Sequence, residues 1–140
     1  MHSAATAKEN TMKKISCCVV LTLTSFTAAA EWVSFGNTPA FTNYVDPANI
    51  HKNGNTVTMW TLVDFKTAQT VDGKPVMSMK MQREYNCKKD QSRDLSLSFH
   101  AGKMGGGEVI GRKSFTDNPW VPNPPDNLDE VFWKFACGKK

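Results

Sequence analysis

Few residues in this chain are of a type that could do chemistry: three histidines, four cysteines, a run of three glycines and a small basic cluster. His100 follows Ser96 and Ser98 on the polar parity of an alternating stretch. No carboxylate stands beside it, so a solvated histidine is expected rather than a general base. His51 lies in a polar stretch, and no nucleophile elbow occurs. Gly105-Gly106-Gly107 could aim backbone N–H groups at an anion. No Lys-Ser/Thr follows it and no helix opens there, so the phosphate-loop pattern is missing. A turn or bulge is the expectation. The sequence therefore assigns no catalytic residue, no metal and no cofactor.

The cysteines speak to compartment instead. Met12-Lys13-Lys14 is basic, Ile15 to Phe26 is mostly apolar, and Thr27-Ala28-Ala29-Ala30 supplies small residues. That order is the pattern of a secretion signal. It predicts a cut after Ala30, with Met12 read as the initiator and Met1–Thr11 as an upstream extension. The apolar run is shorter than the roughly 20 residues a permanent span needs, and no later segment reaches that length. Residues 1–30 are thus expected to be removed, leaving one exported domain over 31–140. Cys17 and Cys18 go with the signal. Cys17 follows Lys14-Ile15-Ser16 with no apolar run before it, so a lipid-anchored N-terminal cysteine is not expected. Cys87 and Cys137 remain, and an even pair in an oxidising compartment predicts a disulfide. A zinc site needs more ligands than two distant thiols, and only His51 and His100 remain in 31–140 to help, so none is expected. Closing a loop of this size restricts the unfolded chain by roughly 4 kcal/mol in the entropic model.

The formal charge of +4 is small and evenly spread, which argues against nucleic acid. Lys88, Lys89 and Arg93 flank a polar loop and could dock an acidic partner, although a solubilising loop has the same composition. Trp60 and Leu62 share a parity opposite to Val57, Met59, Val63 and Phe65. Large apolar groups on both faces predict either an interface at Trp60 and Leu62 or burial under another segment.

The elements that position these residues read as a sheet followed by a helix. Strands are predicted at Trp32–Phe35, Ala40–Val45, Thr56–Phe65, Val76–Cys87, Leu95–His100 and Glu108–Phe115. Asn53-Gly54 and Asp72-Gly73 supply turns. In Val76–Cys87, the residues Met77, Met79, Met81, Tyr85 and Cys87 share one face, interrupted by Arg83. The prolines of Trp120–Pro125 are expected to exclude that stretch from the ladder. Asn127 with Glu130 has the form of a capping box. Leu128, Val131, Phe132 and Phe135 then give a helical stripe ending at Gly138. The class is α+β: an antiparallel sheet of about six strands, with one C-terminal helix on one face and clipped by the disulfide.

With these elements in place, the chain resembles the surface-adhesin protein E family of bacterial exported proteins. The resemblance is carried by Trp32, Tyr44-Val45-Asp46-Pro47 with Ile50, Asn53-Gly54-Asn55, Met59-Trp60 and Asp64-Phe65. It continues through Glu84-Tyr85-Asn86-Cys87, Leu95-Ser96-Leu97-Ser98, Gly102 with Met104-Gly105, and Trp133 to Cys137. It implies a sheet with a disulfide-held C-terminal helix, and a chain that can form a homodimer. It also implies a protein that adheres to host proteins such as laminin, vitronectin and plasminogen. The missing lipid-acceptor cysteine departs from the lipid-anchored pattern. The expected function is therefore an exported, non-catalytic binding domain, periplasmic or at the cell surface, with a host matrix or serum protein as partner. The alternative is a periplasmic accessory protein whose partner is another envelope protein. Fold alone does not choose between them.

Overall fold

A computed structural model describes residues 31–140, so the expected secretion signal and Cys17 and Cys18 lie outside the described residues. Eight strands are present: β1 Val33–Asn37, β2 Phe41–Val45, β3 His51–Asn53, β4 Thr56–Val71, β5 Lys74–Asn86, β6 Gln91–His100, β7 Val109–Ser114 and β8 Val121–Pro122. One helix, α1, spans Leu128–Ala136. The six expected strands form the sheet in the order β1-β2-β4-β5-β6-β7, antiparallel throughout. The expectation of about six misses two short strands. β3 pairs with β4 across a turn at Gly54-Asn55, one residue later than the expected Asn53-Gly54, since Asn53 pairs with Thr56 and only Gly54 takes positive φ. β8 pairs Val121 and Pro122 with Ser92 and Gln91 of β6. The proline-rich stretch does enter the ladder, because at a sheet margin Pro122 needs to pair on one side only. At the β4–β5 hairpin, Asp72 (φ 48°) and Gly73 (φ 74°) both take positive φ, the backbone that a tight two-residue turn demands.

The helix packs over one end of one sheet face. Val45, Val57, Met59 and Tyr85 of the sheet form the core with Phe132, Trp133 and Ala136 of α1. Its buried face is turned from the expected stripe: Trp133 and Ala136 are inside, whereas Val131 and Phe135 are 47% and 38% exposed. Two tethers explain the turn. Cys137 is bonded to Cys87 with a Cα–Cα distance of 5.5 Å, and Trp133 Nε1 donates to the Asn86 carbonyl at 2.7 Å. Phe35 completes the contact, stacked on Phe132 at 5.1 Å and edge-on to Phe135 at 5.0 Å. The cap also differs from a simple capping box. Asn127 accepts from Asp129 N, and Glu130 accepts from Asp126 N.

The opposite face is covered by the 102–107 loop rather than by a helix. Ser78 Oγ donates to the Gly102 carbonyl at 2.6 Å and accepts from Gly105 N at 2.8 Å. Asp64 accepts from Met104 N at 2.9 Å and pairs with Lys103 at 3.2 Å. The glycine run is thus a pinned cover, and Leu62, Val76 and Ser78 are fully buried. In β5 this reverses the expected burial. Of the stripe from Met77 to Cys87 only Tyr85 is fully inside; Met77, Met79 and Met81 are half-buried. A nine-residue helix is too short to reach them.

Candidate functional site

The half of the helix-bearing face that α1 leaves open carries an apolar strip. Register sets Phe41 beside Phe65, Val63 beside Met79, and Met81 between Thr61 and Leu97. All of these except Thr61 are half-buried. Where the strip meets α1, a groove of about 320 Å³ is bounded by Leu128, Phe132 and Arg83. Arg83 is no free cation. Its Nε lies 2.8 Å from Asp94 and its Nη1 2.6 Å from Asp129, which fastens the start of α1 to the sheet. Burial opposes its charge, yet Asp129 and Asp94 leave its pKa raised. Tyr85 below it is held as a neutral phenol, burial pushing its pKa up with Asp129 and Asp94 adding to the shift.

The residues singled out from the sequence fall in three places. Lys88 and Lys89 are exposed on the β5–β6 turn, and the disulfide brings Lys139 and Lys140 to the same end of the molecule. Arg93 is not part of that basic end. It pairs with Glu84 at 2.7 Å and lies 4.3 Å above the Trp120 ring. Trp60 and Leu62 are on the loop-bearing face, but they differ. Leu62 is fully buried under the loop and offers no surface, whereas Trp60 lines a cavity with Trp32, Asp46, Asn49 and Lys80.

His100 corrects another expectation, since it is 5% exposed and not solvated. Its Nε2 lies 2.8 Å from Ser98 Oγ, and its Nδ1 has no hydrogen-bond partner. A Ser–His pair without a carboxylate on the second nitrogen lacks the orienting member of a hydrolytic triad. Burial, with Lys80 and Arg112 nearby, lowers its pKa. His51 is exposed on β3. Among the described residues no cluster of His, Cys, Asp and Glu has the geometry to hold a metal, and no helix is long and apolar enough to cross a membrane.

Residues 32–138 match the model of the family described as Surface-adhesin protein E. The chain belongs to that family. Two solved structures of Haemophilus influenzae protein E share its architecture. The structure from crystal form II superposes with a TM-score of 0.58 at 14% identity, covering 76% of this chain and 96% of its own. That from a non-typeable strain gives 0.53 at 12%, covering 79% and 86%. At these identities the likeness establishes the fold. No curated protein matches the chain. The surface-adhesin protein E segment runs from Trp32 to one residue past Cys137, so it includes the Trp32–Trp60 cavity, the apolar strip and the disulfide.

The sequence missed the strip because Val63, Phe65, Met79 and Met81 sit on parities that α1 was expected to cover. It missed Asp46, Asn49 and Lys80 because they are brought to Trp60 only by strand pairing. The one signal available was the two-sided apolar pattern of β4.

Proposed function

We propose that the protein is an exported, non-catalytic binding domain that adheres to a host matrix or serum protein through the open half of its helix-bearing face. The observation that supports this is the strip of Phe41, Val63, Phe65, Met79, Met81 and Leu97 beside the groove at α1. Contiguous apolar surface of this kind on a water-facing sheet marks association. Lys113 stands opposite Leu97 at the β7 edge, is exposed, and has no acidic partner among the described residues. The complementary partner presents an apolar side chain to the groove and a carboxylate to Lys113.

Purified protein is tested against immobilised laminin, vitronectin and plasminogen at physiological salt. The expected result is saturable binding to at least one, weakened about tenfold or more by Met81→Lys, since a charge on the strip is then desolvated. Binding to none of them, or binding unaffected by that change, overturns the reading. So does a dimeric mass that Met81→Lys returns to monomer without any host ligand, because the strip then belongs to a second copy. Protease treatment of intact cells separates the periplasmic alternative: an adhesin is cut, and a protein confined behind the outer membrane is spared.

A further inference from the structure

We propose that the cavity between Trp32 and Trp60 binds a single neutral pyranose unit of a glycan. It lies on the loop-bearing face, away from the apolar strip, and stands independently of the protein-binding reading above. Strand pairing assembles it. Val33 faces Val45 across β1 and β2, which sets Trp32 level with Asp46. Asp46 N donates to the Trp60 carbonyl at 3.2 Å, so the two indoles flank Asp46 on one surface. Lys80 approaches from β5, and Asn49 from the turn after β2.

The lining selects the ligand class. Two indole faces carry negative quadrupoles that attract weakly positive C–H groups, as a sugar ring presents. The Asp46 carboxylate accepts from Asn49 Nδ2 at 2.6 Å and from Ala48 N at 3.2 Å. That fixes the Asn49 amide while leaving its oxygen and second N–H free for a ligand. Lys80 makes no ion pair among the described residues. Its stem passes over Gly105, where a Cβ would collide with Lys80 Cε. Donors and acceptors therefore stand side by side, and the charges of Lys80 and Asp46 cancel. Hydroxyl groups, which donate and accept, match this arrangement. A quaternary ammonium in an aromatic cage would meet the Lys80 ammonium, and an anion would meet Asp46. The volume of about 270 Å³ is at the small end for ligand pockets and suits one ring.

The test follows the tryptophan Nε1–H signals of purified protein by NMR during titration with methyl glucopyranoside, methyl galactopyranoside and N-acetylglucosamine. Choline chloride and sodium glucuronate are the charged comparisons. The expected result is saturable shifts of the Trp32 and Trp60 signals with at least one neutral sugar, at a Kd on the order of 1 mM. Asn49→Ala, at an exposed position, should weaken that response about fivefold, the loss of one hydrogen bond. No shift with any neutral sugar overturns the proposal. So does a response to choline or glucuronate alone, or a sugar response that Asn49→Ala leaves unchanged.

Discussion

Trp133 of the helix donates from Nε1 to the carbonyl oxygen of Asn86 at 2.7 Å, one residue from the cysteine that bonds the helix to the same strand. Helix and sheet are therefore joined twice at one end, by a hydrogen bond and by sulfur. Trp133→Phe keeps an aromatic ring and removes the donor, leaving a half-buried carbonyl short of a partner. The expected cost is about 1–2 kcal/mol in urea unfolding. A smaller loss would mean that the indole contributes by packing alone.

The disulfide spans 50 residues and constrains the unfolded chain. Replacing both Cys87 and Cys137 by serine should destabilise the domain by about 4 kcal/mol, a large share of a small domain's stability. Urea unfolding of the oxidised protein and the double variant measures it. Equal midpoints would contradict a structural role for the bond.

Ser78 is fully buried and bridges two backbone groups of the 102–107 loop. Ser78→Ala leaves the Gly102 carbonyl and the Gly105 N–H without this partner. The expected loss is about 1–3 kcal/mol, with faster amide exchange at Met104 and Gly105 in the native state. Unchanged exchange there would show that the loop is held by Asp64 without the serine.

Burial, aided by Lys80 and Arg112, lowers the pKa of His100 in the folded state. The unfolded chain takes up a proton there near pH 6.5, so it binds more protons than the folded one just below that pH. Stability present at neutral pH is then lost as pH falls from about 6.5 toward the folded-state value. Thermal unfolding between about pH 7 and 5 should show this decline, and His100→Gln should flatten it. The same slope in both proteins would contradict the account.

Much of the sheet was legible in the residues. Asp72-Gly73 announced its hairpin, β4 and β5 announced themselves by composition and alternation, and Cys87 with Cys137 announced the tether. Alternation states which residues share a face, but not how far a covering element extends along it. Met79 and Met81 follow the same period as Tyr85, yet a nine-residue helix covers Tyr85 alone. His100 had the pattern of a surface residue because its burial comes from loops and neighbouring strands rather than from its own strand, and the two-sided pattern of β4 left Leu62 open between an interface and the loop cover it has. The turn of α1 toward Trp133 and Ala136 is set by the bonds at Asn86 and Cys87, which helical periodicity does not contain.

Hydroxyl-radical footprinting of the protein bound to laminin, vitronectin or plasminogen locates the contact surface most directly. Protection of Phe65, Met79 and Met81, with Trp60 still reactive, is the expected pattern. Protection confined to the opposite surface, or no complex to footprint with any of the three, would contradict attachment through the uncovered part of the sheet.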